Sequence, residues 1–178
     1  TKIGLCGGNG TGKSTLLNIV TGFLTPEEGA IILNGDNITH FEAWKFARLG
    51  IKRTFQKVRF NEALILKEQL YTSDEMIKRN LDMLKDAGLI DYLYAFPNEV
   101  PLPILRKVEV IRALLECPRY LFLDEPSAGM AATDLHEFGE FLKEHIDADT
   151  CLVVVEHRME LMENCLLYTS DAADDSLR

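Results

Sequence analysis

The chain has 178 residues, of which 47% are hydrophobic, 26% charged and 8% aromatic, a balance that fits one globular domain and excludes collagen-like, low-complexity and disulfide-scaffold classes. Its 19 Lys and Arg residues against 28 Asp and Glu residues give a net charge of -9, which disfavours nucleic-acid binding through the phosphates. The four cysteines lie far apart without a C-x-x-C pair, so neither disulfide bonds nor a zinc site is expected.

Short apolar runs alternate with helical patterns along the chain, which predicts an α/β domain with a mainly parallel sheet. The elements predicted in the first third are a strand over 2–6, a helix over 13–23, a strand over 30–33, a helix over 42–49 and a strand over 51–55. The dipeptide Asn34-Gly35 predicts a tight hairpin turn after the second strand.

A capping-box pattern from Thr72 to Glu75 predicts the start of one helix, which Gly88 closes. One face of that helix carries Met76, Ile77, Leu81 and Leu84. The elements predicted further on are a buried helix over 102–117, central strands over 120–123 and 151–155, and between these strands a helix whose apolar stripe runs from Leu135 to Ile146. Residues 168–178 fit no element.

A glycine-rich run, Gly7-Gly8-Asn9-Gly10-Thr11-Gly12-Lys13-Ser14, fits the pattern G-x-x-x-x-G-K-S/T between a predicted strand and a predicted helix. Its glycines let successive N–H groups point at phosphate oxygens, and the helix N-terminus adds partial positive charge. Lys13 suits the β- and γ-phosphates, and the Ser14 hydroxyl suits Mg²⁺. The alternative is a glycine-rich turn without a ligand. The residues predicted to bind nucleotide are Gly7, Asn9, Gly10, Thr11, Gly12, Lys13, Ser14 and Thr15.

Four apolar residues, Tyr120 to Leu123, end in the carboxylates Asp124 and Glu125. A buried strand that delivers Asp124 at its C-terminal edge is where P-loop NTPases hold Mg²⁺. Glu125, the next residue, is placed to act as a general base on the attacking water. The alternative is an ordinary strand end whose acidic side chains face solvent. The run is not D-x-x-G and no N-K-x-D follows, which disfavours a GTPase.

Together these motifs resemble the ATPase subunit of an ABC transporter, and within that family the ATPases of branched-chain amino-acid importers. The resemblance covers about residues 1–165 and depends on the runs GLCGGNGTGKST (4–15), ARLGIKRTFQ (47–56), RAL (112–114), LDEPSAGM (123–130) and VEHRM (155–159). It implies an α/β fold with a P-loop NTPase (RecA-like) parallel-sheet core, an inserted helical subdomain at about 57–116, and missing N-terminal strands. The tail, 166–178, is interpreted as an artefact outside the domain.

The resemblance also implies roles for individual residues. Gln56 matches the Q-loop glutamine, which contacts Mg²⁺ and senses the membrane subunit, and His157 matches the switch histidine that contacts the γ-phosphate. Catalysis is thus expected of Glu125, His157 and Gln56, and Mg²⁺ binding of Ser14, Gln56 and Asp124. The expected cofactors are ATP and Mg²⁺. The expected partners are transmembrane permease subunits and a second ATPase subunit, identical or different, with no nucleic acid, and the expected location is the cytoplasmic face of the membrane.

The sequence departs from the family pattern in its signature motif, which should occupy residues 100–105. Pro103 replaces a glycine and Leu105 a glutamine, and in the D-loop Ala131 replaces the usual Asp or Asn. Because proline lacks an N–H group and adds bulk, we expect the composite site completed by this motif to be weakened. Three alternatives follow: a working motor subunit, a nucleotide-binding module with impaired catalysis, and a non-transport ABC ATPase that acts on DNA or ribosomes. The acidic balance disfavours the third.

Overall fold

The computed structural model describes residues 1–8, 10–57, 59–70 and 73–166, with the side chains of the last helix described through Glu163. The strands are β1 (Lys2–Leu5), β2 (Ile32–Leu33), β3 (Asp36–Asn37), β4 (Ile51–Arg53), β5 (Tyr120–Asp124) and β6 (Cys151–Val155). The α-helices are α1 (Lys13–Val20), α2 (Ala43–Arg48), α3 (Leu66–Gln69), α4 (Asp74–Arg79), α5 (Leu81–Asp86), α6 (Leu102–Leu114), α7 (Ala132–His145) and α8 (Met159–Leu166). Two 3₁₀ turns, Ile90–Tyr92 and Pro97–Glu99, precede α6.

A parallel sheet in the order β1-β6-β5-β4 forms the centre of the fold and confirms the predicted α/β class. Its register aligns Leu5 with Val155, and Val155 with Asp124. The C-terminal ends of β1, β6 and β5 are therefore level with one another. The loops that follow these strands leave the sheet at one edge, where ligands of open α/β sheets bind.

Both faces of this sheet are covered by apolar side chains. Leu121 and Leu123 of β5 belong to a large cluster that includes side chains of α3, α5, α6 and α7. The alternate residues of β5, Tyr120 and Phe122, pack against a smaller cluster centred on Phe46 of α2. Burial on both faces explains why the parallel strands are continuous apolar runs in the sequence.

The hairpin formed by β2 and β3 has the predicted turn, Asn34-Gly35. Both turn residues have positive φ angles, 52° for Asn34 and 95° for Gly35, as a two-residue hairpin turn of the primed type requires. The predicted strand over 30–33 is shortened to β2, whereas β3 was not predicted; Ile32 pairs with Asn37 and Leu33 with Asp36.

The prediction of one helix between Thr72 and Gly88 is wrong, because α4 ends and α5 begins at Asn80. The side chain of Asn80 donates a hydrogen bond to the Met76 carbonyl at 2.8 Å and so competes with the helical backbone. Thr72, the predicted cap, lies outside the described residues; Ser73 caps α4 by accepting a hydrogen bond from the Met76 N–H. Gly88 does follow α5, with a φ of 68°.

Other boundaries differ from prediction by a few residues, since α1 stops at Val20 and β4 at Arg53. Cys6, Cys117 and Cys151 are free thiols. Among the residues that the structure describes, no helix combines the length and apolar composition needed to cross a bilayer. The predicted tail begins at the last residue of α8, and its remainder, 167–178, is outside the described residues.

Candidate nucleotide site

The phosphate loop connects β1 to α1, and its glycines take the conformations that the motif requires. Gly10 and Gly12 have φ angles of 79° and 88°, which residues with a Cβ atom adopt only with strain. The Lys13 ammonium donates hydrogen bonds of 2.7 Å to the carbonyls of Gly7 and Gly8. Thr11 donates to the Gly8 carbonyl at 3.0 Å. The lysine is thus folded back over its own loop, with its charge held at the carbonyls that follow β1.

At the end of β5, Asp124 forms a buried ion pair with Arg53 at the end of β4. The distance from Arg53 Nη2 to Asp124 Oδ2 is 2.8 Å, and each side chain is only 5% exposed. Burial raises the pKa of Asp124 above its ordinary value, although the Arg53 charge opposes that shift. Burial likewise lowers the pKa of Arg53, and Asp124 opposes it. The aspartate singled out in the sequence therefore has a cationic partner that sequence reasoning did not identify.

Glu125 joins the two other side chains that the family resemblance singled out. Gln56 Nε2 donates to Glu125 Oε2 at 2.6 Å, and His157 Nε2 lies 2.9 Å from Glu125 Oε1. These three residues come from loops after three neighbouring strands, β4, β5 and β6. The structure therefore brings Gln56, Glu125 and His157 into one hydrogen-bonded unit.

The backbone around Glu125 is strained and is held by β6. Glu125 has a φ of 46°, and its N–H group donates to the Val155 carbonyl at 2.8 Å. The next loop is fixed by Glu156, which is 2% exposed and accepts hydrogen bonds from the Ser127 N–H at 2.8 Å and the His157 N–H at 3.1 Å. A buried carboxylate thus ties the loop carrying His157 to the loop after Glu125. In the sequence, this role of Glu156 is indicated by its position between Val155, the end of an apolar run, and His157.

Arg106 of α6 links the helical segment to the same loops. Its guanidinium donates to the carbonyls of Gln56 at 2.8 Å and Ala128 at 3.1 Å, and it pairs with Glu109 at 3.2 Å. Sequence reasoning missed this residue as well, because its partners are 50 and 22 positions away. The backbone position of Gln56 therefore depends on α6.

A cleft of about 300 Å³ brings most of the predicted residues together. It is lined by Gly10, Thr11, Gly12, Lys13, Ser14, Thr15, Gln56, Glu125 and His157. Gly7 contributes its carbonyl to Lys13, whereas Asn9 lies outside the described residues. Asp124 is not among the residues that line this cleft; its carboxylate is buried, with only Oδ2 in contact with Arg53.

The donor atoms available here fit a magnesium ion, which prefers oxygen ligands. Asp124 Oδ1 is buried and has no hydrogen-bond partner among the described residues, as expected of an atom reserved for a ligand. The Ser14 hydroxyl lies at the first turn of α1, and Gln56 retains its amide oxygen while its nitrogen contacts Glu125. The predicted set of Ser14, Gln56 and Asp124 is therefore chemically suitable.

Residues 100–105, where the signature motif is expected, lead into α6, with Pro101 at the N-cap and Pro103 in the first turn. A proline in a first turn fits the helix because the N–H it lacks has no partner there, but that N–H is also one fewer donor for an anion. Leu102 contacts Gly129 so closely that a Cβ at Gly129 would lie 2.8 Å from the leucine methyl. The start of α6 is therefore packed directly on the D-loop.

Comparison with known proteins identifies the class of protein to which this chain belongs. A family model described as "ABC transporter" matches residues 1–128, more than half of the chain. The chain therefore belongs to the ABC transporter family, as an ATP-binding subunit of this class of ATP-hydrolysing enzymes.

Individual relatives share only 28% or 29% of their aligned residues with this chain. The high-affinity branched-chain amino acid transport ATP-binding protein LivG of Escherichia coli (strain K12) is 28% identical over 184 residues, with 90% of this chain and 72% of that protein covered. The ribose import ATP-binding protein RbsA 1 of Mesorhizobium japonicum is 29% identical, with 92% and 35% covered. A solved ABC transporter cassette in its ADP conformation is 28% identical, with 92% and 72% covered and a TM-score of 0.76.

Proposed function

We propose that this chain binds and hydrolyses ATP with Mg²⁺ to power an importer of branched-chain amino acids. The observation that carries the nucleotide part is the cleft in which Glu125, Gln56 and His157 face the phosphate loop. Catalysis of phosphoryl transfer depends on positioning and electrostatics, and this cleft supplies a lysine, a helix N-terminus and a carboxylate base together.

Each side chain has a defined task in this proposal. Lys13, now on the carbonyls of Gly7 and Gly8, exchanges these for phosphate oxygens and neutralises their charge. Glu125 orients the attacking water and takes up its proton, while Gln56 and His157 hold the carboxylate from either side. Ser14, Gln56 and Asp124 would hold Mg²⁺, which would supply charge neutralisation at the phosphates.

The solute part of the proposal depends on the name of the LivG relatives. A relative of similar identity, RbsA 1, is named for ribose import, so identity alone does not choose between solutes. Uptake of labelled leucine against labelled ribose by cells carrying the complete transporter tests this part, and ribose uptake alone would refute it.

The proposed partners are transmembrane permease subunits and a second ATPase subunit, which places the chain at the cytoplasmic face of the membrane. The helical segment from 57 to 116 is the proposed docking part, within a domain proposed to span 1–165. Its α6 reaches the site through Arg106, which gives a route from a docked permease to Gln56. Co-purification of the chain with permease subunits tests this assignment.

A second candidate function is nucleotide binding with impaired turnover. The observation that favours it is Pro103 in the first turn of α6, where a signature motif offers N–H groups to the nucleotide of the opposite subunit. ATP binding without phosphate release in the complete complex would support this candidate over the motor.

The decisive first experiment is calorimetric titration of the chain with Mg·ATP, beside its Lys13→Ala variant. We expect binding that weakens at least about tenfold in the variant, because charge-assisted contacts to phosphate are lost. Lys143→Ala is the matched control, since Lys143 pairs with Glu140 on the surface of α7. Absence of binding by the folded wild-type chain, or equal binding by the Lys13 variant, would contradict the proposed site.

A further inference from the structure

Arg53 is a buried arginine at the edge of the site, and the mechanism above does not use it. Its guanidinium makes polar contacts in two directions. Nη2 donates to Asp124 on β5, whereas Nη1 donates to Asn18 of α1 at 2.7 Å and to Thr21, the C-cap of that helix, at 3.3 Å. One side chain thus connects the strand that carries Asp124 to the helix that begins with Lys13 and Ser14.

Aromatic rings fix the guanidinium in this position. Its central carbon lies 4.7 Å from the centre of the Phe55 ring and 5.7 Å from that of Phe23. The two rings also contact each other edge to face, with their centres 5.5 Å apart. Because these contacts and the hydrogen bonds act together, Arg53 has little freedom to change its orientation.

The contact with Arg53 makes the two oxygens of Asp124 different. Oδ2 accepts a hydrogen bond from Arg53, while Oδ1 is buried without a hydrogen-bond partner among the described residues. Burial of an unpartnered carboxylate oxygen is costly, and a cation at Oδ1 would remove that cost. The pairing therefore leaves one oxygen free for a metal ion and fixes which oxygen it is.

We propose that Arg53 is a positioning residue for the magnesium ion that accompanies ATP: it holds Asp124 by Oδ2, leaves Oδ1 for the ion, and sets the distance from Asp124 to α1. This inference depends on the proposed nucleotide site and adds a residue to it. Such outer contacts orient metal ligands, and their loss commonly weakens metal binding. The role requires arginine, because the N–H groups of its planar guanidinium donate in two directions at once. The lysine ammonium is a compact point charge and cannot reach both sets of acceptors.

The test compares ATP affinity with excess Mg²⁺ and with EDTA, by calorimetry on the full chain. The main variant is Arg53→Lys, which keeps the charge and removes the fork. The Mg²⁺ gain is the ratio of ATP affinity with Mg²⁺ to ATP affinity with EDTA. We expect this gain to fall about tenfold in the variant, as when other residues that orient metal ligands are substituted, while ATP affinity in EDTA stays unchanged. Arg48→Lys, the same change at an exposed position of α2, is the matched control and should keep the full gain.

Asn18→Ala is the second variant, because it removes the shorter hydrogen bond from Arg53 toward α1 and leaves the contact with Thr21 and the ion pair with Asp124 in place. We expect a smaller loss of the Mg²⁺ gain. The inference is overturned if both variants keep the full gain, or if affinity falls equally with Mg²⁺ and EDTA, which marks a purely structural role. Failure of the wild-type chain to bind ATP under either condition would instead overturn the proposed function, and the inference with it.

Discussion

The Nε2 atom of His157 lies 2.9 Å from Oε1 of Glu125, so the side chains that follow the neighbouring strands β6 and β5 are in direct contact. The second oxygen of the same carboxylate binds the amide of Gln56 at 2.6 Å. Three residues with separate family roles are thus coupled through Glu125. A change at any of them is expected to alter the orientation of the other two.

Substitution of Glu125 by Gln should abolish turnover while ATP binding remains. The amide has the shape of the carboxylate but cannot accept the proton of the attacking water, so we expect the rate to fall by about 100-fold or more. The measurement is phosphate release by the chain assembled with its partner subunits, beside calorimetric ATP binding. Glu140→Gln on the surface of α7 is the control. Unchanged turnover in the Glu125 variant would refute its role as the base.

Substitution of Glu156 by Gln should destabilise the fold and displace His157. The buried carboxylate accepts N–H groups on both oxygens, and an amide nitrogen would face one of those donors. We expect a loss of about 1–3 kcal/mol in the free energy of unfolding, typical of a buried donor left unsatisfied. Urea denaturation measures it, with the exposed Glu163→Gln as control. A loss no larger than in that control would contradict the structural role of Glu156.

Substitution of Pro103 by Gly should increase ATP hydrolysis in the assembled complex. Glycine restores an N–H group in the first turn of α6 and removes the ring that occupies the signature position. The assay is turnover with the partner subunit present, together with thermal unfolding to show that the helix is retained. No gain in turnover would indicate that Pro103 does not limit the composite site.

The stability of the chain should depend on the protonation of Glu109. Burial raises the pKa of Glu109 despite its contact with Arg106, so the folded state binds its proton more tightly than the unfolded state does. As pH falls from 7 through the raised pKa toward the unfolded value, wild-type stability should therefore increase relative to Glu109→Gln, which cannot titrate. Urea unfolding of both proteins across this range measures the difference. A difference that is constant with pH would contradict the prediction.

The sequence alone was sufficient for the elements that depend on short-range patterns. The strands β5 and β6, the turn at Asn34-Gly35 and the loop before Lys13 are each encoded by neighbouring residues, and the structure has them where they were predicted. The helix across Asn80 was predicted wrongly, because the apolar stripe continues through a residue whose side chain binds the backbone and interrupts the helix.

Sequence reasoning found the residues of the candidate site but not what holds them. Gln56, Glu125 and His157 stood out by motif, whereas their mutual contact depends on the order β6-β5-β4 in the sheet. The partner of Asp124 is 71 residues away, at the end of β4, which lies beside β5 only in the folded sheet. Local propensity and spacing act over a few residues, but the pairing of buried charges is decided by the cost of desolvation, and that cost exists only after the chain has packed.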